Sequence, residues 1–265
     1  MWAAVDARGP SAIYVASDSR ITWGSVHSRW DSGRKVFSAG RFPDIFGYAG
    51  DVLFPALSIS QICELSEQGF LWQDSDDALQ RHLTFVAAME ASLSRRHNSP
   101  DRDFHIFHAA REGDGLGCRF VAWKTSFSAK RRKFSDQAIE VHAEGCKSRL
   151  LAAAGSGQDA FMDEVIEWQS SSQMHTSRAV YSAFCDALHS KADPLSGGAP
   201  QLVGLYRKGS AKVFGHVDGN GCYVLGLPVN PHSLGSKIEW RDRLFQRVCP
   251  HSGDVLPGAQ RQFRD

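Results

Sequence analysis

The sequence predicts an α+β protein in which two β-sheets pack face to face and each carries a helical layer on its outer side, in the order αββα. Three observations predict it. Hydrophobic periodicity alternates along the chain as strands, two helices, strands, two helices, strands. Turn-forming Gly, Pro and Ser separate the strand-like runs. A chain of 265 residues, 42% of them hydrophobic, is long enough to bury the apolar faces of such layers.

Trp2 to Val5 and Ala12 to Ala16 are short apolar runs on either side of a turn sequence, and Lys35-Val36-Phe37 and Ile45 to Ala49 continue the strands. The period then lengthens. Phe54, Leu57, Ile62 and Leu65 share one helical face, and Leu79, Leu83, Val86, Met89 and Leu93 form a second stripe, capped by Asp74-Ser75-Asp76. Strands resume at Phe104 to Ala109, Arg119 to Trp123, Ile139 to His142 and Leu150 to Ala154, with a polar connection from Ser126 to Asp136. Phe161, Val165 and Trp168 mark a third helix. Val180, Phe184 and Leu188 mark a fourth, behind Thr176 or Ser177. Leu202 to Tyr206, Lys212 to Phe214 and Tyr223 to Leu225 are the last strands of a domain spanning residues 1–226. A C-terminal extension, 227–265, holds one short amphipathic helix at Ile238 to Val248 that covers a neighbour or its own sheet.

Composition narrows the function. Thirty Lys and Arg against 29 Asp and Glu leave a net charge of +1, which removes the electrostatic case for a nucleic-acid or anionic-membrane binder. No apolar stretch approaches the ~20 residues that cross a bilayer, and Asp6 and Arg8 interrupt any signal-peptide pattern, so a cytoplasmic protein is expected. Six cysteines without CxxC spacing read as reduced thiols. His105 and His108 point to opposite faces of a strand, and Cys249 and His251 lack a second ligand pair, so no metal is expected. The run Lys130-Arg131-Arg132-Lys133 is read as a solvated loop, with docking of an acidic partner as the alternative. Trp23, Trp30 and Trp72 fall outside the main core patterns and are candidates for subunit contacts.

Three local motifs carry chemistry: Asp18-Ser19-Arg20 followed by Lys35-Val36, Tyr48-Ala49-Gly50-Asp51, and Gly155-Ser156-Gly157 with Asp193-Pro194-Leu195-Ser196-Gly197-Gly198 downstream. Singly, each also reads as a turn or a surface ion pair. As an ordered set, with the Ser156-to-Asp193 separation, they resemble the N-terminal-nucleophile hydrolases of the proteasome β-subunit type, bacterial two-ring peptidases included. The resemblance covers about residues 2–217 and implies the family's four-layer αββα sandwich.

It also implies a mechanism. Such proteins use the first residue of the mature chain, usually Thr, as nucleophile and its α-amine, of pKa about 7.7–8, as general base. By resemblance Lys35 supplies the positive charge beside the nucleophile and Asp18 pairs with it. Asp193, Ser156 and Ser196 position the amine, and the Gly50 N–H is the oxyanion donor. Ile21, Phe37, Tyr48 and Val52 fall on the substrate-pocket positions and imply a bulky apolar side chain before the scissile bond; the same residues also read as plain core. The chain departs from the family at its start, because neither Met1 nor Trp2 can be the nucleophile. Either the nucleophile lies just ahead of Met1, or this is a non-catalytic ring subunit of the same fold. An amidase acting on small amides is a third reading. The expectation is a threonine-type peptidase subunit without metal or organic cofactor, acting on peptides or unfolded proteins in a homo-oligomeric ring and compatible with an ATP-dependent unfoldase.

Overall fold

In the computed structural model the described residues are 1–141, 145–219, 221–233 and 238–259. The chain begins with strands β1 (Trp2–Asp6) and β2 (Gly9–Ser17), a small hairpin β3 (Ile21–Thr22) and β4 (Arg29–Trp30), then β5 (Val36–Ala39) and β6 (Asp44–Gly50). Helices α1 (Leu53–Glu67) and α2 (Ala78–Ser94) follow, then β7 (Phe104–Glu112), β8 (Arg119–Ser128), β9 (Lys133–Ile139) and β10 (Arg149–Leu150). Helices α3 (Gln158–Gln169) and α4 (Ser177–Ser190) come next. Strands β11 (Gln201–Tyr206), β12 (Lys212–Asp218), β13 (Gly221–Val224), β14 (Leu227–Pro228) and β15 (Glu239–Arg241) complete the described chain.

The protein is therefore mixed α+β, and its sheets are mostly antiparallel. One sheet is the meander β5-β6-β7-β8-β9. The other runs β10-β1-β2-β11-β12-β13-β14, with β15 added in parallel along β12. α1 and α2 pack on the meander through Phe46, Ile59, Phe85 and Met89. Ile13, Val15, Ile45, Phe107 and Val203 join the two sheets to each other. α4 packs on the larger sheet through Tyr181 and Cys185, against Trp2, Tyr14 and Phe214.

Several local expectations are corrected. α1 buries Phe54, Ile59, Ile62 and Cys63, leaving Leu57 and Leu65 exposed, and α2 turns Leu79 and Leu83 outward. The reason lies beneath α2, where the sheet offers polar partners, so that Arg81 and His82 occupy the inward face. The α2 cap is Asp77, whose carboxylate accepts the Gln80 N–H at 2.8 Å, while Asp76 accepts the N–H of Gln73. The connection expected from Ser126 to Asp136 is a hairpin: Phe127 pairs opposite Phe134, and only 129–132 turn, with Arg132 at φ 51°. β9 ends at Ile139, where a strand was expected to begin, and His142 lies outside the described residues. The strand expected to Ala154 stops at Leu150. The helix expected at 238–248 is β15 and a turn in which the Asp242 carboxylate accepts the N–H groups of Leu244 and Gln246. Trp240 of β15 lies over Gly215, where a Cβ would come within 2.2 Å of the ring. Trp72 is fully buried against Phe42 and Phe46, whereas Trp23 and Trp30 are exposed.

The polar chain under α2 is unusually deep. Arg81 Nε donates to Asp44 Oδ2 at 2.8 Å, and Asp44 Oδ1 meets His108 Nε2 at 2.9 Å. The two histidines meet Nδ1 to Nδ1 at 2.9 Å, and His82 Nε2 meets Asp136 Oδ2 at 2.9 Å. Asp44, His82 and His108 are fully buried. Removing one partner of such a pair leaves an uncompensated charge. Asp44→Ala is expected to destabilise the fold by about 3–5 kcal/mol, measured by urea unfolding.

His216 supplies a pH dependence. It is buried with Nδ1 3.1 Å from the Tyr181 hydroxyl, and burial lowers its pKa from 6.5 to about 4. Above pH 6.5 neither the folded nor the unfolded chain protonates this group. As pH falls towards 4 only the unfolded chain gains the proton, so stability drops, by about 3 kcal/mol across the window. Unfolding curves at pH 7 and pH 5 measure the slope, and His216→Leu is expected to reduce it, leaving the share of buried His82 and His108.

Candidate functional site

Asp18 leaves the end of β2 and Lys35 enters β5, which places the two side chains together. Lys35 Nζ lies 2.6 Å from Asp18 Oδ1, and each side chain is only 13% exposed. The other carboxylate oxygen accepts the N–H groups of Arg20 at 3.0 Å and Gly197 at 3.1 Å. Asp18 thus holds both the ammonium and the Ser-Gly-Gly loop. Arg20 reinforces that loop: it pairs through two nitrogens with Asp31, at 2.7 and 2.9 Å, and donates to the carbonyls of Pro194 and Ser196. Gly197 is needed because a Cβ would fall 2.5 Å from the guanidinium carbon.

Ser156 and Ser196 both donate to Asp193 Oδ2 at 2.6 Å, and Leu195 N–H donates to Oδ1 at 3.0 Å. Burial opposes ionisation of Asp193, but these donors outweigh it and hold the carboxyl below its usual range. The carboxylate is therefore retained at any pH near neutrality. Gly157 leaves room for the cluster, since its Cβ would sit 2.6 Å from Ser196 Oγ.

Gln201, missed in the sequence, joins the parts. Its Nε2 faces the carbonyls of Asp18 at 3.0 Å and Gly33 at 2.7 Å, and its Oε1 accepts the Lys35 N–H at 3.0 Å. A polar residue heading the apolar strand Gln-Leu-Val-Gly-Leu-Tyr is the one signal that pointed to it.

A cavity of about 460 Å³ gathers Asp18, Lys35, Gly50, Ser156, Asp193 and Ser196, with Ile21, Tyr48 and Val52 on its apolar wall. Phe37 is not part of it. That ring is buried in the core cluster beside Tyr48, under the Arg34 guanidinium at 4.3 Å, and the expectation of a pocket residue is corrected. Tyr48 donates its hydroxyl to the Arg34 carbonyl at 3.2 Å, and burial pushes its pKa up.

β1 borders the cavity. Trp2 pairs opposite Tyr14, and the Met1 carbonyl accepts the N–H groups of Leu151 and Ala152 while its side chain packs between the sheets. Past that point the cavity is lined by residues 15–17 of β2 on one side and 152–154 on the other. Among the described residues no group of three or more His, Cys, Asp or Glu is placed to hold a metal ion, and no helix is long and apolar enough to cross a membrane. All six cysteines are free.

No family model matches this chain, and no curated protein matches it in sequence.

Gly50 has a backbone requirement of its own, with φ 104° and a position where a Cβ would fall 2.2 Å from the Asp103 carbonyl. Gly50→Ala is expected to cost about 2–4 kcal/mol, from positive φ and overpacking together. A thermal melt checks it.

Proposed function

We propose that this chain is a proteasome-like peptidase subunit with the four-layer αββα sandwich of the N-terminal-nucleophile hydrolases, its nucleophile carried on the line of β1 ahead of Met1. The observation that carries the reading is the convergence of the Asp18–Lys35 pair and the Ser156–Asp193–Ser196 cluster on one cavity, beside the strand that the resemblance assigns to the nucleophile. The β1–β2 register supports a specific position. With Trp2 opposite Tyr14, a strand continued by two residues beyond Met1 brings its first residue opposite Ser17, next to Asp18.

A Thr there attacks the peptide carbonyl carbon with its side-chain oxygen while its α-amine takes the hydroxyl proton. The Lys35 ammonium favours the deprotonated forms of both groups. The Gly50 N–H stabilises the oxyanion. Collapse of the tetrahedral species breaks the C–N bond, the α-amine returns the proton to the leaving amine, and water hydrolyses the ester to regenerate the hydroxyl. Asp193 keeps the two serine hydroxyls oriented towards the terminus. Ile21, Tyr48 and Val52 give the pocket an apolar wall, which suits a bulky apolar side chain before the cleaved bond. Assembly into a homo-oligomeric ring in the cytoplasm belongs to the same reading.

The test is a chain extended so that Thr is its first residue, two positions before Met1. It is expected to cleave fluorogenic peptides with an apolar residue before the fluorophore. Lys35→Ala in that chain is expected to lower turnover at least about 100-fold while the chain still folds, with a lower melting temperature because Asp18 loses its cation. Asp193→Ala is expected to lower turnover less, by stranding two hydroxyls. A folded Thr-initiated chain without turnover, or a Lys35→Ala form as active as its parent, overturns the reading. Intact mass of the native protein gives an independent check, with Thr, Ser or Cys first as the expected result.

A further inference from the structure

The fold brings together two basic segments that are separate in sequence. Residues 95–103, from the end of α2 towards β7, and residues 129–133, at the β8–β9 turn, carry seven arginines and lysines against Asp101 and Asp103. That is a local excess of five positive charges in a chain whose net charge is +1. Asp103 clips the segments together, its Oδ1 accepting the Ala129 N–H at 2.7 Å. Between them lies a groove of about 700 Å³ lined by His97, Pro100, Asp101, Asp103, Lys130 and Arg132. Two exposed arginines elsewhere are matched, Arg41 by Asp74 and Arg119 by Glu112. Among the described residues none of these seven has a carboxylate partner, and six of them are exposed.

We propose that the basic surface flanking this groove, whose own lining sets Lys130 and Arg132 against Asp101 and Asp103, docks an acidic polypeptide segment. Uncompensated like charges repel one another and favour an anionic partner. Two features select a polypeptide over a nucleic acid. The one exposed ring on either segment is the His97 imidazole, Phe127 and Phe134 beside the turn being buried, so no Phe, Tyr or Trp platform stands there to stack a run of bases. In addition, Asp103 lines both the groove and the candidate site's cavity, as Arg102 lines the cavity, so a chain bound in one continues towards the other. This second argument rests on the peptidase reading; the binding itself requires no hydrolysis.

The test uses the full chain and a fluorescein-labelled twelve-residue peptide rich in Glu, followed by anisotropy. Binding is expected, weakening as salt rises from about 50 to about 200 mM. A Ser/Gly/Gln peptide of equal length is expected not to bind. Lys130→Glu with Arg132→Asn, the Asn chosen because residue 132 has positive φ, is expected to weaken binding about tenfold or more while leaving the melting temperature unchanged. Absence of binding, equal binding of the neutral peptide, or an unaffected double variant overturns the proposal. Tighter binding of a single-stranded oligonucleotide of equal charge also overturns it and assigns the surface to nucleic acid. Because the readout is binding, an inactive peptidase would leave these outcomes distinguishable from failure of the site itself.

Discussion

The candidate site depends on one half-buried ion pair. Withdrawing an ammonium and a carboxylate from water is costly unless both find close and directed partners. Asp18 meets that condition with one oxygen on Lys35 and the other on two backbone N–H groups, and Gln201 ties the backbones of both residues into one frame. The pair therefore joins the end of β2, the entry to β5 and the Ser-Gly-Gly loop, three stretches that meet only through folding. Arg20 extends the frame by holding the loop's carbonyls while its own charge is met by Asp31. Every strong cation of the frame is thereby engaged within the protein. The frame consequently presents a fixed charge arrangement rather than mobile side chains.

The parts of the site that the sequence pointed to were those in an ordered set of short motifs, each of which alone also reads as a turn or an ion pair. Ser156, Asp193 and Ser196 lie in glycine-bearing loops, Asp18 follows β2 and Lys35 precedes β5, and the structure brings the five together. Gln201 escaped because one amide at the head of an apolar strand looks incidental until its three backbone partners are known. Phe37 reads both as pocket and as core, because an aromatic residue two positions after Lys35 suits either, and packing puts it in the core.

The fold was legible at the level of element order and less so at the level of faces. Leucine spacing suggested which side of α1 and α2 is buried, yet Leu57, Leu65, Leu79 and Leu83 face out. Periodicity assumes that the inward side is apolar, and α2 violates that assumption by turning Arg81 and His82 inward to meet Asp44 and His108. The 126–136 end of the β8–β9 hairpin was hidden similarly, since Ser126, Ser128, Lys133 and Ser135 make one face polar and only Phe127 and Phe134 mark the other as apolar. The 238–248 segment has helical spacing, but its tryptophan is held by a glycine on a neighbouring strand, a long-range contact that no local pattern encodes.

That last contact has an architectural consequence. β15 is laid along β12, and Phe245 just beyond it packs edge-on against Trp2 and Tyr14 at 6.1 and 5.3 Å. The late part of the chain thus buttresses the strand that borders the cavity. Because β15 and Phe245 follow the other strands in chain order, β1 gains this support only after they have been synthesised, and the edge of the cavity matures later than the sheet that carries it.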